Sequence, residues 1–190
     1  IPIEELLGRD VIKAQSDLMK LAIQNKTILI TGAGGSIGSE LCRQVIQHMP
    51  KKIVLLELSE ENLYKINEEL LKINVDNIKI ISILGSSSNF KLVSKTIKDN
   101  NVDIIFHAAA YKHVPIVELN PIEGIKNNIF STVALCEASV ENHIEKLILI
   151  STDKSVRPTN IMGASKRVAE LVVQAFAEKE STKLNKNSNY

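Results

Sequence analysis

The chain has 190 residues, of which 24% are charged and 44% are hydrophobic, and its formal net charge is +1. The length is that of one domain able to bury a core, and the nearly neutral charge argues against nucleic acid or an anionic membrane surface as a partner. The sequence contains no stretch approaching the ~20 apolar residues needed to cross a bilayer, so we expect no direct membrane contact from this chain.

Short β-branched runs alternate along the chain with longer amphipathic stretches. Residues 1–25 predict a helical lead-in, with contacts from Leu6, Leu7, Leu18, Leu21 and Ile23. The predicted strands are Thr27–Thr31, Lys52–Glu57, Ile78–Ile83, Asp103–Ala108 and Lys146–Ser151. The predicted helices are Ser36–His48, Glu60–Ile73, Asn89–Asn100, Ile122–Asn142 and Asn160–Glu178. Strict alternation indicates right-handed crossovers and an α/β fold, a doubly wound parallel sheet of the Rossmann type. The strands are continuously apolar, which predicts burial on both faces.

The pattern divides the chain into three segments, of which the helical lead-in of residues 1–25 is the first. Residues 26–180 form the predicted Rossmann domain, and residues 181–190 are a Lys/Asn/Ser-rich tail expected to be loop or disordered. The sequence shows no sixth strand and no C-terminal lobe for a substrate, and it opens without a signal peptide or an initiator Met, so we expect it to derive from something longer. Cys42 and Cys136 are interpreted as small buried hydrophobes, and no metal site is predicted.

A glycine-rich turn follows the first predicted strand, in the run from Thr31 to Gly38. Glycines allow a tight turn, close approach of a pyrophosphate and close packing of helix on strand. The helix that begins at Ser36 then points its free N–H groups and positive dipole end at the phosphates. The turn, between a strand and a helix, predicts dinucleotide binding by Gly32, Gly35, Ser36, Ile37 and Gly38.

The second predicted strand ends at Glu57. A carboxylate there can accept hydrogen bonds from both adenosine ribose hydroxyls and repels a 2′-phosphate, and no Arg follows to hold such a phosphate. The residue therefore favours NAD over NADP. The competing interpretation is that Glu57 only caps the end of a strand.

Further motifs connect the chain to a known family. They are TGAGGSIG at the glycine turn, His107-Ala108-Ala109-Ala110 after the fourth strand, the run Tyr111–Pro115, Glu118–Pro121, Asn127-Asn128, and the run from Ser151 to Lys166. With these motifs the chain resembles the extended short-chain dehydrogenases/reductases, and within them the bacterial UDP-N-acetylglucosamine 4,6-dehydratases of polysaccharide and protein-glycan synthesis. The resemblance covers nearly the whole chain, including the opening Ile3–Arg9.

The resemblance implies an NAD-dependent hydro-lyase acting on a UDP-sugar. Hydride leaves sugar carbon 4 for NAD, the resulting ketone acidifies the proton on carbon 5, water leaves from carbon 6, and the hydride returns to carbon 6. The resemblance also implies a cytoplasmic enzyme whose parent is anchored to the cytoplasmic face of the inner membrane. A homo-oligomer is expected through the helices Ile122–Asn142 and Asn160–Glu178.

The resemblance assigns roles around the cofactor. Thr152 matches the hydroxyl that orients the sugar 4-hydroxyl, and Lys166 matches the lysine that holds the nicotinamide ribose. Ala108, Ala109 and Ala110 lie beside the cofactor. Met162 stands where most of the superfamily has a tyrosine, and the long dehydratases that this chain resembles carry the same methionine. Its thioether cannot act as an acid or base.

Asp153 and Lys154 occupy the positions that sugar dehydratases reserve for elimination. Met162 can be neither acid nor base, Thr152 is too weak a base, and Lys166 is committed to the ribose. We assign Lys154 as the base and Asp153 as the acid, although the residues alone leave the reverse assignment open.

Substrate contacts are expected from the loop after the fourth strand and from the following helix. Lys112 and His113 lie on that loop, and Asn127 matches the helix asparagine that braces the cleft. Family members often carry an Asp after the glycine of the third strand to meet the adenine, where this chain reads Gly85 and then residues 86–89 as SSSN.

Two alternatives accompany the dehydratase interpretation. A nucleotide-sugar 4-epimerase shares the cofactor and the first oxidation, but it normally needs a tyrosine proton donor, which Met162 disfavours. A non-catalytic NAD-binding module is the second, favoured by the missing substrate lobe. The reaction product separates the first two, and NAD binding without conversion indicates the third.

Overall fold

A computed structural model of the chain describes residues 16–74 and 78–187 and shows five parallel strands in the order β3-β2-β1-β4-β5. The strands are β1 (Thr27–Thr31), β2 (Lys52–Glu57), β3 (Lys79–Leu84), β4 (Ile104–His107) and β5 (Lys146–Leu149). The helices are α1 (Ser16–Ile23), α2 (Ser36–Ile46), α3 (Glu60–Ile73), α4 (Phe90–Asn100), α5 (Val114–Leu119), α6 (Pro121–Ile125), α7 (Ser131–Glu141) and α8 (Ile161–Asn187). A π-helical segment (Lys126–Phe130) joins α6 to α7, and a 3-10 turn (Asp153–Ser155) follows β5.

Alternate residues of the central strands enter two separate cores, one on each face of the sheet. On one face Ile28, Ile53 and Ile104 pack beneath residues of α1, α2 and α3. On the other face Leu29 and Val54, with their neighbours, pack beneath α4 and α7. Because side chains alternate along a strand, a continuously apolar strand supplies both cores at once. The predicted doubly wound α/β fold is confirmed.

The strand order places a crevice at the carboxyl end of the sheet. The chain runs outward from β1 through β2 to β3, then returns to place β4 on the other side of β1. The order therefore reverses between β1 and β4, where Thr31 pairs with His107. In open parallel sheets ligands bind in the crevice outside such a switch point. The glycine turn and the Ala108–Ala110 run both begin at this position.

Polar residues at the ends of helices fix where α3 and α4 begin. The Ser59 side chain accepts a hydrogen bond from Asn62 N at 3.3 Å, and the Asn89 side chain accepts one from Leu92 N at 3.1 Å. Each satisfies an N–H group that has no partner within its helix. Asn89 is thus committed to capping α4, which leaves Ser86 and Ser87 as the residues of this loop that line the crevice.

The helix predicted over Ile122–Asn142 is interrupted by the π-helical segment, and two hydroxyl side chains at the start of α7 bond carbonyls within that segment. Thr132 Oγ1 donates to the carbonyl of Asn128 at 3.0 Å, and Ser131 Oγ donates to the carbonyl of Asn127. A hydroxyl that bonds a carbonyl four residues earlier competes with the backbone N–H groups for that carbonyl, and here the contacts lie at the end of the π-helical turn. The prediction also missed α5, where the chain shows six helical residues before Asn120.

Several other expectations were wrong. The edge strands β3 and β5 are partly exposed, unlike β1 and β2, because each lacks a neighbouring strand on one side among the described residues. Leu18 and Leu21 are exposed on α1, whereas Ile23 is buried as expected. Leu6 and Leu7 lie outside the described residues. The predicted tail is helical as far as Asn187, because α8 continues past Glu178.

Candidate functional site

Two clefts meet at the glycine turn on the carboxyl edge of the sheet. The β2-side cleft has a volume of about 320 Å³ and is lined by Gly32, Gly35, Leu56, Glu57, Leu58, Ser59, Asn62, Gly85, Ser86, Ser87, Ala108, Ala109, Ala110, Tyr111 and Asn127. The β5-side cleft, of about 380 Å³, is lined by Gly35, Ser36, Ile37, Gly38, Ala108, Ala110, Tyr111, Lys112, Ile150, Ser151, Thr152, Lys154, Met162 and Lys166. Gly35 lies in both linings, so the two clefts form one path across the turn.

The three glycines predicted to bind a cofactor differ in what they contact. A Cβ added to Gly38 would lie 1.9 Å from the Gly32 carbonyl oxygen, and one added to Gly32, where φ is +64°, would lie 2.7 Å from the Ala109 backbone. These two positions require glycine for packing of the chain on itself. A Cβ at Gly35 would meet only the Gly32 oxygen, at 3.3 Å, and otherwise points into open space. Packing of the chain on itself therefore accounts for glycine at positions 32 and 38, whereas the space at Gly35 is open to the clefts.

The Glu57 carboxylate holds the glycine turn and the loop after β2 together. Its Oε2 accepts from Gly34 N at 2.9 Å, and its Oε1 accepts from Leu58 N at 2.8 Å and Ser59 N at 3.0 Å. Glu57 thus organises the backbone at the end of β2, as the competing interpretation predicts, and it also lines the β2-side cleft, where its role towards a cofactor stays a prediction. A carboxylate has about four acceptor sites, so it retains capacity for one more donor.

A buried histidine at the end of β4 connects β1 to the first turn of α7. His107 is fully buried, with Nδ1 2.7 Å from Thr31 Oγ1 and Nε2 3.2 Å from Thr132 Oγ1. The Ser131 and Thr132 hydroxyl protons are already donated to backbone carbonyls, so these oxygens accept from a protonated Nε2 and Thr31 donates to Nδ1. Burial, with a smaller effect from the Lys166 charge, lowers the pKa of His107 to about 3. The ring is neutral at physiological pH.

Asn128, rather than Asn127, braces the loop after β4. Asn128 is 1% exposed, and its Nδ2 donates to Ser165 Oγ on α8 at 2.9 Å as well as to the Tyr111 carbonyl at 3.0 Å. Asn127 instead lines the β2-side cleft, on the other side of the glycine turn from the residues predicted to perform elimination. Both asparagines lie in the π-helical segment, and Asn128 is the one that faces inward.

Helix α8 brings Met162 and Lys166 to the β5-side cleft, as their spacing of four predicts. Met162 is 3% exposed and Lys166 is 5% exposed. Lys166 Nζ donates to the Ile150 carbonyl at 2.7 Å. Burial lowers the pKa of Lys166, and the Glu170 carboxylate opposes that shift. An ammonium has three donors, so Lys166 can hold a ligand hydroxyl while keeping its bond to Ile150, directly after β5.

The turn after β5 separates the two residues predicted to exchange protons. Thr152 and Lys154 line the β5-side cleft, whereas Asp153 does not and its side chain is 89% exposed. Asp153 Oδ1 accepts from Thr152 Oγ1 at 2.9 Å and lies 3.6 Å from Lys154 Nζ. The Thr152 hydrogen bond, with help from the Lys154 charge, holds the pKa of Asp153 below its usual value. Asp153 is a carboxylate in this arrangement.

Lys112 and His113 lie at different places, although they are adjacent in sequence. Lys112 Nζ donates to Ser36 Oγ at 3.2 Å, which carries its charge across the β5-side cleft to the first turn of α2. His113 is absent from the described lining of that cleft and contributes to a neighbouring cavity of about 330 Å³ together with Ile116, Val117 and Gly124. Lys112 lines both spaces.

Both cysteines are buried, as predicted, and burial raises the pKa of Cys42 to about 12 and that of Cys136 to about 11.

Within residues 16–74 and 78–187, the His, Cys, Asp and Glu side chains form no group of three that could hold a metal ion. Across the same residues, every helix is too short or too polar to span a bilayer.

The fold and these clefts define a Rossmann-like α/β chain of the extended short-chain dehydrogenase/reductase class. Residues 28–188 match the family model described as "Polysaccharide biosynthesis protein". The chain therefore belongs to this polysaccharide biosynthesis family.

Individual relatives agree with this assignment. The capsular polysaccharide biosynthesis protein CapD of Staphylococcus aureus is 43% identical over 181 residues, which cover 95% of this chain and 30% of the relative. The solved structure of Pen from Bacillus thuringiensis is 32% identical, with a TM-score of 0.75, over 81% of this chain and 47% of that one. UDP-glucose 4-epimerase from Bifidobacterium longum, solved with NAD+ and UDP, shares the fold at 21% identity and a TM-score of 0.68, over 82% of this chain and 49% of that one. The chain thus spans about a third to a half of the proteins that it matches.

Proposed function

We propose that this chain is the NAD-binding part of a nucleotide-sugar 4,6-dehydratase that converts UDP-N-acetylglucosamine to a 4-keto-6-deoxy sugar for polysaccharide or glycan synthesis. The observation that carries the proposal is the β5-side cleft, where Thr152, Lys154 and Lys166 converge beside Met162. A lyase needs a base and an oriented hydroxyl there, and it needs no proton donor at position 162. An epimerase does need one, which disfavours that alternative.

The β2-side cleft fits the adenosine half of NAD. Gly35 leaves open space above the turn, and Glu57 lines the cleft at the end of β2, where its remaining acceptor site would take a ribose hydroxyl. Helix α2 begins directly after the turn with no side-chain cap on its first N–H groups, so these can receive a pyrophosphate. When bound, NAD would supply an acceptor for the hydride that leaves sugar carbon 4, and the same cofactor would supply the hydride that returns to carbon 6.

The residues of the β5-side cleft then divide the remaining work. Lys166 would hold the nicotinamide ribose, and Thr152 would turn its hydroxyl from Asp153 towards the sugar 4-hydroxyl. Lys154 lines the cleft and is the base for the carbon 5 proton, while Asp153 is the acid that gives the departing carbon 6 hydroxyl its proton to form water. The position of Lys154 in the cleft supports its role. Asp153 can donate only after Thr152 releases it and substrate displaces Lys154, because the Thr152 hydrogen bond and then the Lys154 charge hold its pKa below the usual value.

Substrate and partner contacts complete the proposal. Lys112 and His113 remain candidates for contacts with the UDP-sugar, and Asn127 is a candidate for a contact in the β2-side cleft. Exposed apolar side chains on α5, α6 and the π-helical segment, among them Leu119, Ile122 and Phe130, supply a surface for the expected homo-oligomer. Action at the cytoplasmic face of a membrane is part of the same proposal.

The decisive experiment is NMR of the product formed from UDP-N-acetylglucosamine in deuterated water by the full-length protein. A dehydratase gives a 4-keto-6-deoxy sugar with deuterium at carbon 5. An epimerase gives an inverted 4-hydroxyl without deuterium at carbon 5, and that product would contradict the proposal. Binding of NAD without any conversion would identify a non-catalytic module.

A further inference from the structure

One face of α8 is fitted to the turn that carries Thr152, Asp153 and Lys154. The face consists of Gly163, Lys166 and Glu170, which are spaced three and four residues apart and therefore lie above one another on a helix. A Cβ added to Gly163 would lie 2.2 Å from the Lys154 carbonyl oxygen. The helix thus contacts the turn backbone at its first end and Ile150, through Lys166, one turn later.

Glu170 completes this face by binding both sides of the turn. Its Oε1 accepts from Ser155 Oγ at 2.7 Å and also from Ser151 Oγ, while its Oε2 accepts from Arg167 at 2.8 Å. Ser151 precedes the three candidate residues and Ser155 follows them. A single carboxylate oxygen therefore closes the segment into a loop held against α8.

The contact between Glu170 and the turn combines a buried hydroxyl with a charged acceptor. Ser155 is 3% exposed, so its hydroxyl depends on protein partners. Its Oγ lies 2.7 Å from the Thr152 carbonyl oxygen and 2.7 Å from Glu170 Oε1, and these two acceptors share its single proton. Hydrogen bonds from Ser151, Ser155 and Arg167 lower the pKa of Glu170 to about 2. The group is ionised at any pH at which the protein is assayed, and hydrogen bonds to a charged acceptor are roughly twice as strong as neutral ones.

We propose that Glu170 is a positioning residue for the elimination step, which holds the Thr152–Ser155 turn so that Thr152 and Lys154 stay in the β5-side cleft beside Lys166. Glu170 itself lies outside the lining of that cleft and acts through Ser151 and Ser155. The positioning of the turn follows from the contacts alone, and its consequence for elimination rests on the proposed function.

Hydrogen exchange tests the positioning. Glu170→Gln keeps the shape of the side chain but removes the charge and one of the two acceptor oxygens. The Ser155 and Val156 amides, which bond to the Thr152 and Asp153 carbonyls, should exchange at least tenfold faster, with the rest of the chain unchanged. Glu137→Gln, an exposed change on α7, is the matched control and should leave every amide at its original rate. Exchange of the two amides within twofold of the original protein would overturn the proposal, as would faster exchange throughout the fold.

Kinetics of the full-length protein test the consequence. Glu170→Gln should lower kcat at least tenfold while KM for the UDP-sugar and Kd for NAD stay within about threefold, since the turn is loosened and the binding groups remain. Ser155→Ala combined with Glu170→Gln should cost no more than the larger single change, because both break the same contact. Additive losses would contradict action through Ser155. An original protein that makes no keto-sugar would refute the proposed function, yet faster exchange of the turn in Glu170→Gln would still support the positioning.

Discussion

Asn128 holds Tyr111 by both polar groups of its backbone, since Asn128 Oδ1 accepts from Tyr111 N at 2.7 Å and Asn128 Nδ2 donates to Tyr111 O at 3.0 Å. This paired contact ties the π-helical segment to the loop after β4, where Tyr111 borders both clefts. The shape of the candidate site at its centre therefore depends on one buried amide.

Replacing that amide should loosen the loop and the whole fold. Asn128→Asp retains the acceptor but loses the donor to Tyr111 and Ser165, and it places a charge in a buried position. We expect the free energy of unfolding to fall by about 2–3 kcal/mol, the cost of leaving buried partners unsatisfied. Urea unfolding measures this loss. Asn127→Asp, at a half-buried position lining the β2-side cleft, is the control and should cost less than about 1 kcal/mol; equal losses would contradict the assignment of the brace.

The glycine turn offers a pair of changes with opposite expectations. Gly35→Val should leave a folded protein that no longer binds NAD, because the new side chain points into the space proposed for the pyrophosphate. Gly38→Ala should instead destabilise the fold, since its Cβ overlaps the Gly32 carbonyl oxygen. Calorimetry with NAD and thermal unfolding distinguish the two. Unchanged NAD affinity in a folded Gly35→Val protein would place the cofactor elsewhere.

Glu57 should select the cofactor and support the turn at the same time. We expect NAD to bind more tightly than NADP, and Glu57→Ala to weaken NAD by ~1–3 kcal/mol through lost charge-assisted hydrogen bonds. The same change should lower stability in the absence of ligand, because three backbone N–H groups lose their acceptor. Titration calorimetry and urea unfolding follow both effects, with Glu60→Ala as an exposed control. Tighter binding of NADP than of NAD would be inconsistent with this role.

The low pKa of His107 leads us to expect that the free energy of unfolding depends on pH. Its pKa is about 3 in the folded protein and about 6.5 when unfolded, so below pH 6.5 the unfolded state binds a proton that the folded state does not. Stability from this group is therefore lost as pH falls, by about 2 kcal/mol between pH 7 and pH 5. His107→Gln should be less stable at pH 7 but should show a shallower decline, whereas His48→Gln should keep the original slope. Parallel pH profiles for the original protein and His107→Gln would be evidence against a neutral buried ring.

The elimination step predicts different defects for the two adjacent candidates. Lys154→Met in the full-length protein should bind NAD normally but lose exchange of the carbon 5 proton with solvent, and with it the product. Asp153→Asn should keep some exchange yet fail to expel water. Deuterium incorporation followed by NMR separates these outcomes. Near-normal turnover in both variants would remove the pair from the mechanism and direct attention to Lys112 and His113.

The alternation of strands and helices was predictable because it is written in local periodicity. The bounds of β1, β2 and α3 agree with the predicted ranges, since buried apolar runs and an amphipathic repeat need no knowledge of distant residues. The glycine turn was equally predictable, because a strand, the glycines at positions 32, 35 and 38, and a helix follow one another directly in the sequence. Met162 and Lys166 could be placed on one helix face from their spacing alone.

Contacts between residues far apart in the chain were decided only by tertiary structure. Asn128, not Asn127, is the buried asparagine of a π-helical segment, and the repeat of an ordinary α-helix does not predict such a segment. The pairing of Glu170 with Ser151 and Ser155 spans the loop before α8, and the exposure of β3 and β5 depends on strand order. Propensity acts over a few neighbouring residues, whereas these features require the packed sheet and helices to bring distant groups within hydrogen-bonding distance.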